Sequence, residues 1–195
     1  MPLIVDKAER RAMVARLAFG LVADRGIGAV TFRQVAEAAG TSTAIVTNYF
    51  HDKNDLLFEV YRIANREAMA RLEAAFAAGE ELVDCLAQVL PVTTEGQRNW
   101  RVWLAFWGLA HSEPAFRDET AANARASVDL YARMLARRYG GVPAPALLDH
   151  LARRLVATVG GVGLQACFDL GDWPLERLRA IIADEIAALD IVIAG

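Results

Sequence analysis

The sequence predicts an all-α protein of about nine helices, in which a small N-terminal three-helix unit precedes a larger helical bundle. Three observations predict it. Apolar residues recur at the spacing of one helix face along most of the 195 residues. No run alternates apolar and polar residues between turn signals, as the strands of a sheet would. The six prolines and fourteen glycines fall mainly between the periodic segments of a chain that is 55% hydrophobic, a composition that folds.

From Asp6 to Arg25, the residues Val14, Leu17, Ala18, Leu21 and Val22 form the inward stripe of an amphipathic helix, with Arg10, Arg11, Arg16 and Arg25 elsewhere on its surface. Gly26 to Gly28 end it, because glycine best tolerates the left-handed conformation after a helix C-terminus. Thr31 reads as the N-cap of a short second helix whose Phe32, Val35, Ala36 and Ala39 face inward, and Gly40 stops it. A third short helix over 42–49 turns Ile45, Val46 and Tyr49 inward; alone, so short a helix would be unstable in water. Asp52 and Asp55 form a capping box that opens a long helix to about Ala78. Interruptions at 91–96, 112–114, 140–145 and 171–174 separate the remaining helices. The division expected is residues 1–52 for the first unit and 53–195 for the second.

Composition removes several classes of function. No apolar stretch reaches the roughly 20 residues of a membrane span, and the N-terminal charges follow its short apolar run, unlike a signal peptide. A cytoplasmic protein is expected. Cys85 and Cys167 have no metal-ligand spacing, and packing in a reducing compartment accounts for them. His51, His111 and His150 lie far apart without a nucleophile elbow, metal pair or dinucleotide fingerprint, so no catalytic residue, metal or cofactor is expected. Gly160-Gly161-Val162-Gly163 is not followed by Gly-Lys-Ser/Thr, and close helix approach explains it better than a phosphate loop. The net charge of −3 gives no global attraction to nucleic acid, although the first 55 residues carry seven basic against six acidic side chains and the remainder fourteen against eighteen.

Two short helices joined by a tight turn at Gly40, braced by a longer first helix, have the form of a DNA-binding helix-turn-helix. The major groove admits one α-helix, and the third helix would present Ser42, Thr43, Ala44, Thr47 and Asn48 to it. Asn48 suits bidentate bonding to an adenine edge, while the threonines offer hydroxyls to bases or methyls to thymine. Thr31 and Arg33 on one side, and Tyr49 and Lys53 on the other, are placed to grip phosphates.

The runs Thr31-Phe32-Arg33-Gln34-Val35-Ala36, Ala39-Gly40-Thr41-Ser42-Thr43 and Asn48-Tyr49-Phe50-His51-Asp52-Lys53-Asn54-Asp55-Leu56-Leu57 resemble the N-terminal signature of TetR-family repressors. The resemblance covers about the first 57 residues and matches the family's phosphate-binding threonine to Thr31 and its recognition helix to residues 42–49. Ala44 and Thr47 stand where many members have Gly and Tyr. Residues 42–50 are more similar to the betaine-pathway repressors of the BetI type, and so is Trp103-Leu104-Ala105-Phe106-Trp107.

In the second unit, Trp100, Trp103, Leu104, Trp107 and His111 share one helix face, with Val102 and Phe106 opposite, so that helix reads as buried. The tryptophans suit an aromatic cage for a quaternary ammonium; each taken singly also suits a plain aromatic core. The BetI-like resemblance implies choline or a related cation as the effector. Asp169 is the candidate counter-charge, and Tyr131 and Gln165 candidate wall residues. The last two helices carry Leu147, Leu151, Leu155, Val159 and Val162, then Leu175, Leu178, Ile182, Ile186 and Leu189. So much apolar surface suggests a partner, and the resemblance implies a homodimer through these helices. The reading is a regulator that binds a double-stranded DNA operator as a dimer and responds to a small-molecule effector. The alternative is a helix-turn-helix protein whose second unit only dimerises or binds protein.

Overall fold

The computed structural model describes residues 7–194, so Asp6 and the apolar N-terminal run lie outside the described residues. Nine α-helices occur among them: α1 (Lys7–Arg25), α2 (Phe32–Ala38), α3 (Thr43–Thr47), α4 (Lys53–Ala77), α5 (Leu82–Ala87), α6 (Thr94–Ser112), α7 (Pro114–Arg138), α8 (Pro145–Phe168) and α9 (Leu175–Ala194), with a 3-10 turn at Ile27–Ala29. No strand is present among the described residues, and no helix is long and apolar enough to cross a membrane. The chain divides into two compact units, one joining Met1–Glu67 with Arg98–Glu119, the other joining Ala68–Gln97 with Thr120–Gly195.

In the first unit, α1 turns Val14, Ala18 and Val22 inward as its spacing predicts. The buried stripe is rotated from the expected one, however. Ala15, Phe19 and Ala23 are buried, while Leu17 and Leu21 are only half-buried. Val35 of α2, Val46 of α3 and Phe50 complete a core against Leu56, Val60 and Tyr61 of α4. Tyr61 stacks on Phe106 of α6 with ring centroids 3.9 Å apart, and Phe58 packs against Phe106 and Phe116. Buried Asn99 donates to the Ala64 carbonyl at 2.7 Å, satisfying a helix carbonyl in an apolar setting. Arg98 and Arg101 of α6 reach the last turn of α1, where Arg98 pairs with Asp24 at 3.2 Å and Arg101 donates to the Ala23 carbonyl. Cations there complement the negative end of the helix dipole.

In the second unit, α8 packs on α9 and α5 on α9. Leu151, Leu155, Val159 and Val162 are buried, as are Leu178, Ile182, Ile186 and Leu189. Most of the stripe that suggested a partner is therefore consumed within the chain, while Leu147 is half-buried and Leu175 exposed at the starts of the two helices. The most exposed apolar side chains at this end are Phe168 (75%) and Ile191 (74%). Arg154 pairs with Glu185 at 2.9 Å and Arg179 with Asp84, tying α9 to α8 and α5. Tyr139 donates to Asp190 at 2.6 Å; burial first, then that bond, pushes the tyrosine up to about 12.

Two glycine expectations need correction. Gly96 belongs to α6 rather than to the break before it, and a Cβ there would stand 2.3 Å from the Leu90 carbonyl oxygen. The chain turns back so closely after α5 that only glycine fits. Gly160 and Gly161 lie inside α8, yet a Cβ at either would meet no atom of this chain within 4 Å. For these two the expected close helix approach has no counterpart among the described residues, whereas Gly163 of the same run is buried.

Candidate nucleic-acid interface and effector site

The turn between α2 and α3 is built by backbone hydrogen bonds that only a left-handed residue permits. Gly40, with φ of +61°, sends its N–H to the Glu37 carbonyl, and Thr41 sends its own to Ala36 at 2.9 Å. This pattern ends α2 and aims the next residues into α3. At the other end of α2, the Thr31 hydroxyl accepts the Gln34 N–H at 3.2 Å, as its N-cap position predicts, and donates to Gln34 Oε1 at 2.8 Å.

α3 is held by one fully buried side chain, Val46, with Phe50 buried behind it. Ser42, Thr43, Ala44, Thr47 and Asn48 are all exposed, so the helix carries its small polar groups on one outward surface. Thr47 donates to the Ala44 carbonyl at 2.9 Å, which ties its hydroxyl to the helix backbone while the residue stays exposed. Ile45 departs from expectation. It is 40% exposed beside these residues, while its neighbour Val46 is fully buried.

Flanking this surface, Arg33 is exposed and Tyr49 half-buried. Lys53 reaches the Ile27 carbonyl through a long 3.5 Å bond, and its chain is otherwise exposed. Asp52 caps α4 by accepting the Asp55 N–H at 2.8 Å, while Asp55 takes the His51 N–H at 3.1 Å. The box predicted from these two residues closes one residue earlier than its usual form. The Asp55 N–H, then His51, hold the Asp52 carboxyl below the usual carboxylate range.

One residue of the motif's frame escaped the sequence analysis. The helix period places Arg11 on the surface of α1, but its guanidinium reaches Asp55 at 2.8 Å, Glu59 at 3.1 Å and the Tyr49 carbonyl at 3.3 Å, and covers the Phe50 ring at 4.5 Å. Arg66 meets the same Glu59 at 3.0 Å. Partial burial pushes the Glu59 carboxyl up, yet hydrogen bonds from Arg66 and Arg11 outweigh it and hold the group low.

On α6, the three expected tryptophans come together. Trp103 and Trp107 lie nearly parallel, 13° apart with centroids at 6.4 Å, and Trp100 stands edge-on to both at 5.4 and 5.9 Å. Rings at that spacing along one helix form a wall rather than the two sides of a sandwich. The helix is not buried all round: Trp100 and Trp103 are buried, Trp107 is 38% exposed and His111 is exposed. In the second unit, Tyr131 is buried on α7, and its burial pushes the hydroxyl's pKa up. Gln165 is exposed on α8. Asp169, just after α8, is exposed and accepts the N–H groups of Gly171 and Asp172 at 3.0 Å each, so one carboxylate oxygen already holds a turn.

Cys85 is buried and donates to the Glu80 carbonyl, and no cluster of metal-binding side chains occurs among the described residues.

Comparison with known proteins agrees with this geometry. Residues 16–60 match the family of bacterial regulatory proteins called tetR, and residues 78–190 match the C-terminal domain of BetI-type transcriptional repressors. The chain is 28% identical over 194 residues to the HTH-type transcriptional regulator BetI of Burkholderia thailandensis, covering 97% of each chain. It is 30% identical to the regulator of that name from Stenotrophomonas maltophilia, covering 88% of each. Among solved structures, a transcriptional regulator from Saccharomonospora viridis in complex with choline superposes with a TM-score of 0.78 at 28% identity, over 92% of this chain and 96% of that one.

Proposed function

Because this chain belongs to the TetR family of transcriptional regulators and carries the BetI-type C-terminal domain, we propose that it is a repressor that reads a palindromic operator as a homodimer and leaves it when a quaternary ammonium binds. The observation that carries the DNA half is α3, whose Ser42, Thr43, Ala44, Thr47 and Asn48 are exposed together over buried Val46. Asn48 reads an adenine edge, and Thr31, Arg33, Tyr49 and Lys53 grip phosphates beside it. Residues 1–52 read DNA and residues 53–195 sense the effector and dimerise; the order of the two roles is supported by an N-terminal family match over 16–60 and a C-terminal one over 78–190.

Dimerisation places two recognition helices about 34 Å apart, one turn of the duplex. We assign it to the outward faces of α8 and α9. There Ala157, Gly161 and Phe168 of one helix, and Ala183, Ala187 and Ile191 of the other, stand exposed. A second copy packed on this face gives Gly160 and Gly161 the close neighbour that their own chain does not supply.

The effector reading rests on the tryptophan wall of α6, with choline taken from the Saccharomonospora viridis complex. Each cation–π contact contributes about 0.5–2 kcal/mol, depending on desolvation. Tyr131, Gln165 and Asp169 are the candidate ligand residues proposed for the second unit. A protein of this kind works in the cytoplasm, where operator and metabolite are both present.

The test is fluorescence anisotropy with the intergenic DNA beside the protein's own gene, at two salt concentrations, with and without choline. Salt-sensitive binding weakened by choline is the expected result. Binding indifferent to choline and related cations would favour a second unit that only dimerises or binds protein, and no sequence-selective binding would overturn the operator reading.

A further inference from the structure

Within the second unit, α4, α5, the stretch that follows α5 and the start of α9 line a cavity of about 340 Å³, a size that suits a small metabolite. Arg71 of α4 lines it without a counter-ion. The residue is half-buried, its Nη2 is shut off from water with no hydrogen-bond partner, and its one bond runs from Nε to the Gln88 carbonyl at a long 3.4 Å. No carboxylate pairs with it among the described residues, whereas Arg179 on the same wall pairs with Asp84. A guanidinium does not give up its charge, so partial burial without an anion is unfavourable. Glu80 and Glu95 also line the cavity; both are exposed, and neither pairs with a basic side chain among the described residues. The unpaired charges therefore differ in sign and in depth, with the cation inward and the acids toward solvent. Leu90, Val92 and Leu175 supply apolar wall.

We propose that this cavity is a second small-molecule site, which takes an aliphatic amino acid whose carboxylate and ammonium stand at opposite ends of an alkyl chain. The carboxylate meets the Arg71 guanidinium, the ammonium donates to Glu80 and Glu95, and the chain lies on the apolar wall. The two acids repel an anion that brings no positive charge of its own, so phosphate and plain carboxylates are disfavoured. No aromatic side chain lines the cavity, and a quaternary ammonium has no N–H for the carboxylates to accept, so the ligand's nitrogen is a protonated amine. The site shares no residue with the tryptophan wall or with Tyr131, Gln165 and Asp169, and stands independently of the choline reading.

Isothermal titration of the full chain with 4-aminobutanoate, 5-aminopentanoate and 6-aminohexanoate tests it, with pentanoate and pentylamine as controls that carry one charge each. At least one of the amino acids is expected to bind wild type about tenfold more tightly than either control, the effect of one further charge-assisted contact. Arg71→Gln should bring that amino acid within about twofold of pentylamine, and the Glu80→Gln/Glu95→Gln double variant within about twofold of pentanoate. Trp107→Phe, which alters the tryptophan wall, should leave these affinities unchanged. Binding of none of the three amino acids, a wild-type affinity no better than that of a control, or an undiminished affinity in a folded Arg71→Gln would overturn the proposal, and none of these results touches the choline reading. Should Arg71→Gln not fold, the wild-type comparison with the two controls decides.

Discussion

The guanidinium of Arg11 lies 2.8 Å from the carboxylate of Asp55, joining the helix before the helix-turn-helix to the first turn after it. The same side chain reaches Glu59, the Tyr49 carbonyl and the face of Phe50. It is half-exposed, so solvent screens part of its effect, and Arg11→Ala is expected to cost about 1–2 kcal/mol. For a chain of this size that lowers the thermal midpoint by a few degrees. Arg11→Lys should recover little, because a single ammonium cannot meet three acceptors and lie flat on a ring. Circular-dichroism melts check both, and an unchanged midpoint in the alanine variant would remove the bracing role.

Acid should loosen the same joint. Arg66 and Arg11 together overcome the effect of burial and keep the Glu59 carboxyl below its ordinary 4.5. The folded value is thus lower than the unfolded one, so this carboxylate's contribution is complete above pH 4.5 and disappears as the pH falls through the folded value. Urea midpoints measured at stepped pH below 4.5 should fall more steeply in wild type than in Glu59→Gln. Parallel curves would exclude Glu59 as a source of the acid sensitivity.

Thr31 holds α2 through its hydroxyl. Thr31→Val keeps the shape and removes the cap, with an expected loss of about 1 kcal/mol, whereas Thr31→Ser should be nearly neutral. If the residue also lies against a phosphate, operator affinity in the valine variant falls while stability is restored by added osmolyte. Affinity that recovers together with stability would confine Thr31 to capping.

Ile45 is an exposed apolar side chain among polar ones, and thymine methyl groups are the apolar feature of the major groove. Ile45→Ala should leave the stability within about 0.5 kcal/mol of wild type, as exposed positions do. Operator affinity should drop by about fivefold, the value of roughly one buried methylene group. Replacing thymine by uracil through the half-site locates the contact: one position should weaken wild type and leave Ile45→Ala unaffected. Equal sensitivity of both proteins at every position would show that Ile45 reads no methyl group.

Gly96 and Gly161 should respond oppositely to added bulk. Gly96→Ala drives a Cβ onto the Leu90 carbonyl and is expected to cost about 2 kcal/mol or more. Gly161→Ala meets nothing in its own chain and gains about 1 kcal/mol of helix propensity within the subunit. On the proposed dimer face, Gly161→Leu should then shift the protein to monomer in light scattering. A Gly161→Leu protein that remains dimeric would place the partner elsewhere.

What the sequence determined by itself was local. Thr31, Asp52 and Gly40 mark the ends of helices because each acts on backbone groups within five residues, and the 3.6-residue period of the apolar positions identifies the longer helices without knowledge of their neighbours. The tryptophans of α6 were legible together for the same reason, as residues 100, 103 and 107 share a face of any helix. Tertiary structure decided the rest. Arg11 finds its partners 38 to 48 residues along the chain, a separation at which no pattern in the sequence records contact. Ile45 is left outward although Val46 beside it is buried, and Gly96 is required by a carbonyl that the fold returns to it. The apolar stripes of α8 and α9 suggested a partner, but packing shows that the two helices bury most of them in their own unit. Periodicity specifies that a face leaves water; which surface covers it depends on the whole chain.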